Sequence, residues 1–197
     1  KSSNPPIYSK TSHNKTREDN KHNLLSPRIF YLIEFHRIIV YNSQTGFTEK
    51  YAKWLSEALE CDSIPLKQAK NLNIQDYDVV IYGGWCMAGN INKINWILEK
   101  IPSLYLAQKK LAIFAVGGSP IENPEVQTSL KNISSKIQEK LPSEADFEKA
   151  YKLVYCPGGF NYDKMNIGSK LMMKMFISML KSKENKTKTD EEMIKMI

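Results

Sequence analysis

The stretch that decides the fold reads Ile38-Ile39-Val40-Tyr41-Asn42-Ser43-Gln44-Thr45-Gly46-Phe47-Thr48. It opens with a β-branched and aromatic run typical of a buried strand, and an amphipathic helix is predicted from Thr48 onward. Residues 43–48 therefore form a tight strand-to-helix turn, with hydroxyls and free N–H groups at the positive end of a helix dipole. Such a turn binds a phosphate without Lys or Arg. An ordinary helix N-cap is the alternative that these residues leave open.

Strands and helices alternate along the rest of the chain. The strands are predicted at residues 38–42, 62–66, 78–82, 110–116 and 151–156. The helices are predicted at residues 48–60, 94–100, 122–140 and 163–180. Near-continuous apolar strands that alternate with helices are typical of a parallel sheet covered on both faces. The sequence therefore predicts an α/β fold with a doubly wound, five-stranded parallel sheet.

The first, third and fourth predicted strands each end in a loop of Gly with small or polar residues. In an open parallel sheet, ligands bind outside the carboxyl ends of the strands, where the strand order reverses. The predicted cofactor-binding residues are Ser43, Gln44, Thr45, Gly46, Phe47 and Thr48 in the first loop, Gly84, Trp85, Cys86, Met87, Ala88, Gly89 and Asn90 in the second, and Gly117, Gly118 and Ser119 in the third. A phosphate site beside two loops that can clasp a flat ring predicts a mononucleotide with a planar head group.

Three residues of the second loop carry hypotheses of their own. Trp85 is interpreted as a ring contact because large aromatics seldom lie among small residues, and a core or lid residue is the alternative. Gly89 allows a peptide rotation that would bring its carbonyl to the ring, and a simple turn glycine is the alternative. Cys86 has no basic neighbour that would lower its thiol pKa, so a buried, inert thiol is expected.

The net charge of +7 is concentrated at the two ends of the chain. Residues 1–37 and 164–197 each carry +4, whereas residues 38–163 carry −1. Basic ends suit an anionic surface such as a membrane or nucleic acid, and solvated disorder is the alternative. No helix-turn-helix or other reading element is present in the sequence, so a nucleic-acid partner is not expected.

Cysteine and histidine usage excludes several kinds of site. The three cysteines have no C-x-x-C spacing, which fits a reducing cytosol. All three histidines precede the first strand, which argues against a zinc site or a His-based triad in the folded domain. The predicted organisation is a disordered extension over residues 1–36, one domain over residues 37–182, and a charged tail over residues 183–197 that is helical toward its end.

The two loops and the C-terminal part resemble a known family. Residues 43–48 resemble the phosphate loop that binds flavin mononucleotide (FMN) in flavodoxins, and residues 83–90 resemble their second loop, beside the isoalloxazine ring. Residues 156–162, 170–175 and 187–190 are similar to the flavodoxin-domain branch that includes the bacterial menaquinone-dependent protoporphyrinogen dehydrogenases. The resemblance implies strand order 2-1-3-4-5, one FMN bound non-covalently, no metal and no catalytic side chain.

The resemblance also implies a function. It points to a cytoplasmic electron-transfer protein or FMN-dependent oxidoreductase that acts on a redox partner protein or a small molecule. The branch adds a menaquinone-dependent protoporphyrinogen dehydrogenase at the inner face of the membrane, with a quinone or porphyrinogen as substrate. A flavin-free binding module is the alternative from another class. The chain departs from the family because its body is not acidic and its third loop, residues 116–122, has no aromatic to stack on the ring.

The last predicted helix is rich in methionine. Five of the eight methionines lie between Met165 and Met179, and Lys170, Lys174 and Lys181 form one stripe at helical spacing. A helix whose methionines fill the core is one interpretation. A helix that touches an anionic membrane is the other, because the apolar positions exceed what one core-facing stripe requires.

Overall fold

A parallel sheet is the centre of the computed structural model, which describes residues 35–159 and 161–195. The strands are β1 (Arg37–Asn42), β2 (Asp62–Pro65), β3 (Val79–Met87), β4 (Asn90–Ile91), β5 (Lys110–Gly117) and β6 (Tyr151–Pro157). The helices are α1 (Phe47–Leu59), α2 (Asn95–Leu98), α3 (Ile101–Leu106), α4 (Pro124–Gln138), α5 (Phe147–Ala150), α6 (Ile167–Ser182) and α7 (Lys188–Lys195). Short 3-10 helices cover Leu66–Asn71, Ile74–Asp76 and Tyr162–Lys164.

The strand order confirms the predicted doubly wound topology. Five strands are parallel in the order β2-β1-β3-β5-β6, and β4 pairs antiparallel with the end of β3. Counted over the parallel strands alone, this is the predicted order 2-1-3-4-5. Ile39 of β1 lies between Ser63 and Ile81, so β1 pairs with β2 on one side and with β3 on the other. The order reverses between β1 and β3, and the loops after these two strands therefore lie side by side.

Apolar clusters lie on both faces of the sheet. On one face the sheet packs against α2, α3 and α4, through the buried side chains Val80, Tyr82, Ile97, Leu104, Ile113 and Ile137. On the other face Ile39, Ile81 and Phe114 pack with Ala52 of α1. The central strands β1, β3 and β5 bury residues on both faces, which explains why they read as continuous apolar runs in the sequence.

The predicted end of the third strand is wrong. The sequence indicated an end at Gly83-Gly84, whereas β3 continues to Met87. Gly83 faces the ring of Phe114 and Gly84 faces the side chain of Ile91, and a Cβ would overlap its neighbour at either position. These glycines therefore mark close packing inside the sheet, which is one of the recognised uses of Gly in a strand.

Other differences concern the helices and the chain ends. The helix predicted over residues 94–100 is divided into α2 and α3, and Pro102 lies in the first turn of α3, where its missing N–H costs nothing. The helix predicted over residues 163–180 begins later, at Ile167, after the 3-10 turn Tyr162–Lys164. The disorder expected for residues 1–36 falls, apart from the last two, outside the described residues.

Helices α6 and α7, called here the terminal helix pair, have a small apolar cluster of their own. Ile177 and Leu180 of α6 are buried there, and Ile194 of α7 packs against them. Asp190 connects the two helices, because it accepts hydrogen bonds from the Thr187 backbone N–H (2.7 Å) and from the Lys183 ammonium (3.0 Å). The terminal helix pair is therefore held by few groups compared with the sheet.

Candidate functional site

A cavity of about 350 Å³ opens where the predicted loops meet, at the carboxyl ends of β1, β3 and β5. Twelve of the sixteen predicted residues line it: Gln44, Thr45, Phe47, Thr48, Trp85, Cys86, Met87, Ala88, Gly89, Gly117, Gly118 and Ser119. The other four, Ser43, Gly46, Gly84 and Asn90, shape the backbone around the cavity without lining it. The structure thus brings the three predicted loops together around one space.

The first loop turns sharply into α1. Gly46 is the N-cap residue of α1 and has a left-handed backbone with φ of 96°, which an L side chain rarely adopts. The backbone N–H of Gly46 donates a hydrogen bond to the Ser43 hydroxyl oxygen at 3.2 Å. Ser43 therefore stabilises the turn itself, and the groups left for a ligand come from the residues that follow.

The first turn of α1 contains unsatisfied donors at a residue that lines the cavity. Thr48 is 1% exposed, and its hydroxyl is the only buried side-chain polar atom in the described residues without a hydrogen-bond partner. The backbone N–H groups at the start of a helix also lack intrahelical partners. An orphaned hydroxyl beside free N–H groups at the positive end of a helix fits a phosphate.

The lining of the cavity carries little charge. Among the described residues that line it, Glu125 of α4 is the only charged one, and no Lys or Arg contributes. An anion bound here would therefore be neutralised by the helix dipole and by hydrogen bonds. This is the arrangement predicted from the Ser-Thr-Gly turn.

The second predicted loop is a β-hairpin. Met87 pairs with Asn90, and the two residues between them, Ala88 and Gly89, have φ of 48° and 74°. Positive φ at both central positions matches a type I′ turn, whose twist suits a tight hairpin. Trp85 and Met87 are strand residues of its first arm, and both line the cavity half-buried.

The base of this hairpin is fixed by a polar network. The Asn92 backbone N–H donates to the Trp85 carbonyl at 2.8 Å, and the Asn42 side-chain amide donates to the Asn92 side-chain oxygen at 2.8 Å. The Tyr82 hydroxyl donates to the carbonyls of Asn92 (3.1 Å) and Lys93 (3.0 Å). Because Asn42 ends β1, this network connects the hairpin to the turn of residues 43–48.

Tyr155 of β6 lines the cavity and was not predicted. Its hydroxyl donates to the Ser119 carbonyl in the third loop at 2.6 Å, and Gly117 has no room for a Cβ against the same phenol. Burial raises the pKa of Tyr155 to about 12, so the phenol stays neutral and keeps donating. Alternation along β6 could have placed Tyr155 on an inner face, although nothing local indicated its contact with a loop 36 residues earlier.

Cys86 behaves as expected for an inert thiol. Burial, with a smaller contribution from Cys156, raises the pKa of Cys86 to about 12. Burial also raises the pKa of Cys156. Because the thiolate is the nucleophilic form, neither group is activated at neutral pH.

Helix α6 closes a side of the cavity that the loops leave open. Its contributions, with the segment before it, are Met165, Ser169, Met172, Met173 and Phe176. Ser169 exchanges hydrogen bonds with the Gln44 side-chain amide at 3.0 and 3.2 Å, which connects the turn of residues 43–48 to α6. The Met-rich composition was the sequence signal for this surface, but it did not locate the surface at the cavity.

Helix α4 forms the remaining side. Val126, Leu130 and Ile133 line the cavity from this helix. A Cβ built on Gly89 would lie 3.1 Å from the Ser129 hydroxyl oxygen, so the hairpin tip lies close against α4. The space near the hairpin is therefore enclosed by apolar side chains, which suits a flat ring.

In the described part of the chain, none of the helices combines the length and the apolar character needed to cross a bilayer.

Comparison with known proteins identifies a family. Residues 38–188 match a family model described as "Flavodoxin domain". Similar solved structures include oxidised flavodoxin 1 from Bacillus cereus, which is 16% identical with a TM-score of 0.46 over 71% of this chain and 95% of that one. The two-electron reduced flavodoxin of Megasphaera elsdenii is 16% identical, with a TM-score of 0.45 over 67% and 89% of the two chains. A WrbA-like flavodoxin from Agrobacterium tumefaciens is 12% identical, with a TM-score of 0.43 over 83% and 100%. No curated protein matches the chain significantly.

Proposed function

Since the chain belongs to the flavodoxin-domain family, we propose that it binds one FMN non-covalently in this cavity and acts as an electron-transfer protein or oxidoreductase. The observation that carries the proposal is the buried hydroxyl of Thr48, which has no partner in the described residues and belongs to a residue that lines the cavity at the start of α1. Bound FMN would supply the electron-accepting chemistry, and the protein supplies binding and orientation.

Each part of the cavity has a separate role in this proposal. Thr45, Thr48 and the first-turn N–H groups of α1 hold the phosphate. The hairpin from Trp85 and the loop at Gly118 hold the ring, and Tyr155 fixes that loop through Ser119. Apolar side chains from α4 and α6 exclude water from the ring. A contact between Trp85 and the flavin ring is also part of this proposal.

The test is FMN binding by variants of residues 43–48, called here the phosphate turn. Thr45→Ala and Thr48→Val each remove one hydroxyl, and each should weaken FMN by roughly 1.5–3 kcal/mol, since hydrogen bonds to charged groups are worth this much. Titration by the quenching of FMN fluorescence measures the dissociation constant. Thr128→Ala is the matched control, because the Thr128 hydroxyl is exposed and donates to Pro124 in its own helix. Unchanged affinity in both turn variants would contradict the phosphate assignment.

The absorbance spectrum of the purified chain with added FMN tests the proposal more broadly. A yellow protein that retains FMN through gel filtration supports it. A colourless protein that does not bind FMN would leave the flavin-free binding module as the better description. Stepwise reduction of the loaded protein then distinguishes one-electron transfer from two-electron chemistry.

A menaquinone-dependent protoporphyrinogen dehydrogenase is the finer alternative. Met172, Met173 and Phe176 favour it, because they extend the apolar lining of the cavity beyond the three loops. A more extensive apolar lining suits a large flat substrate. The assay supplies the FMN-loaded protein with protoporphyrinogen as hydrogen donor and a menaquinone analogue as acceptor. Porphyrin fluorescence that rises only with both the protein and the quinone supports the activity, and no rise above the protein-free rate removes it.

A further inference from the structure

Helix α6 carries an exposed apolar stripe. Ile167, Leu171, Met175 and Met179 follow one another at intervals of four residues, so they lie along one side of the helix. Each of these side chains is between 60% and 87% exposed. Single exposed apolar residues are ordinary, whereas a contiguous apolar surface on one helix marks an interaction site.

The packing of the terminal helix pair does not account for this stripe. The packing is made by another side of α6, where Met173, Phe176, Ile177 and Leu180 meet Ile194 of α7. The helix is thus apolar on two sides, one of which has a partner and one of which faces solvent. This explains the excess of apolar positions noted in the sequence.

Every charged residue of α6 is a lysine. Residues 164–183 contain five lysines and no Asp or Glu. Lys183 pairs with Asp190, and the Lys170 ammonium lies 5.2 Å from the centre of the Tyr162 ring. At 100° per residue, Lys170, Lys174 and Lys181 lie on one line that borders the stripe. An apolar strip edged by lysines and free of acids complements an anionic surface with an apolar interior.

We propose that α6 docks on an anionic lipid surface, with the stripe at the boundary of the acyl chains and Lys170, Lys174 and Lys181 at the lipid phosphates. Met172 is half-exposed and also lines the cavity, so it connects the docking surface to the cavity mouth. Docking therefore brings the cavity to the lipid surface. The proposal does not depend on FMN, because none of the stripe residues or the three lysines lines the cavity.

A second copy of the chain is the competing occupant. In a two-fold symmetric contact the same helix would face itself, which would bring two rows of lysines together with no acidic residue of α6 to compensate them. Like charges brought together in this way disfavour the contact. A lipid headgroup layer supplies the opposite charge in excess, so the charge pattern favours lipid.

The test measures binding of the full chain to vesicles by co-sedimentation. Vesicles of phosphatidylcholine with phosphatidylglycerol should bind the protein, and vesicles of phosphatidylcholine alone should bind it much less. Leu171→Gln with Met175→Gln removes the apolar part, and Lys170→Gln, Lys174→Gln and Lys181→Gln together remove the charge. Each set should reduce the partition coefficient at least roughly tenfold, given the contribution expected per buried apolar group and per Lys.

Two matched controls make the result specific. Leu106→Gln changes an apolar side chain on α3 that is 79% exposed, and Lys131→Gln, Lys136→Gln and Lys140→Gln together remove the same charge from α4 and the residues directly after it. Both controls should bind vesicles as the unaltered chain does. Circular dichroism and FMN affinity report whether each variant is folded and keeps its cavity, and both should be unchanged.

Two outcomes would overturn the proposal. One is equal vesicle binding by the unaltered chain and by both α6 variants, which would assign any binding to other basic segments. The other is sedimentation equilibrium that shows a dimer of the unaltered chain and a monomer of the Leu171→Gln, Met175→Gln variant, which would assign the stripe to a second copy.

Discussion

The sheet and the terminal helix pair differ in how much of their apolar surface is buried. Counted over the side chains that the structure describes, the larger cluster of the sheet contains eighteen buried apolar residues, whereas the cluster between α6 and α7 contains two, Ile177 and Leu180. Five of the ten large hydrophobic side chains that are exposed in the described residues belong to α6. The sheet buries its apolar surface, and α6 displays part of it.

This difference gives the two regions different roles, stability for the sheet and recognition for the terminal helix pair. The sheet holds the phosphate turn, the hairpin and the third loop on rigid strand ends, where side chains have little freedom to shift. The terminal helix pair contributes a wall of the cavity but rests on few buried groups, so we expect it to open at a lower free energy than the sheet. The four predictions below test this comparison, from the largest expected effect to the smallest.

The largest effect is expected from a cavity in the sheet. Ile113 of β5 is 1% exposed and lies beside Tyr82 of β3 and Leu153 of β6. Ile113→Ala should lower the free energy of unfolding by about 2–5 kcal/mol, measured by urea denaturation. Ile121→Ala, at a side chain that is 42% exposed, is the control and should have a much smaller effect. Equal effects of the two substitutions would contradict the description of the core.

A buried position of the terminal helix pair should respond differently. Leu180→Ala should cost no more than about 2 kcal/mol, because the small cluster can relax around the missing atoms. Amide hydrogen exchange should show lost protection in α6 and α7 and unchanged protection in β1, β3 and β5. Comparable loss of protection in the strands would mean that the two regions unfold as one unit.

The hydrogen bonds between the terminal helix pair and the loop after β1 can be removed by changing one hydroxyl group. Ser169→Ala removes the hydrogen bonds between α6 and Gln44 of the phosphate turn, and FMN should then bind more weakly by about 0.5–1.5 kcal/mol. Fluorescence titration provides the dissociation constant. Ser182→Ala is the control, because its hydroxyl donates only to Met179 within the same helix. The prediction fails if both variants bind FMN equally well.

The smallest expected effect is a loss of local stability in α7 at low pH. Hydrogen bonds from Thr187 and then the Lys183 ammonium hold the pKa of Asp190 at about 2, below its ordinary value of 3.8. A carboxylate with a depressed pKa stabilises the folded state above about pH 4, and this contribution is lost as the pH falls toward about 2. The protection of the α7 amides, measured against their intrinsic exchange rate at each pH, should therefore fall between pH 4 and pH 2. In Asp190→Asn this loss of protection should be absent, and a profile identical to that of the unaltered chain would disprove the role of Asp190.

The sequence predicted the sheet because the central strands β1, β3 and β5 are apolar runs next to a strong turn signal. The alternation of strands and helices predicted a parallel sheet covered on both faces, and the resemblance to flavodoxins implied the strand order. The loops at the carboxyl ends of the strands predicted the place of the cavity. The end of β3 was not predictable, because Gly83 and Gly84 look like a loop until the ring of Phe114 and the side chain of Ile91 are placed against them.

The walls of the cavity were harder to predict than its loops. Tyr155 and Ser169 reach it from the last strand and the last helix, and their contacts join residues 36 and 125 positions apart in the chain. Local patterns carry no information on such contacts. The sequence did indicate that α6 has more apolar surface than one core requires, and the structure shows which side chains form each of its two apolar sides.

The two outer strands of the sheet bear on solubility during handling and storage. Among the described residues, strands β2 and β6 each have a neighbouring strand on one side only, and the open side of such a strand is a template for β-type aggregation. β2 is four residues long and ends at Pro65, while β6 carries the exposed Lys152 and ends at Pro157. Short length, an exposed charge and a terminal proline all discourage the addition of another strand. Concentrated preparations should therefore resist amyloid-like assembly.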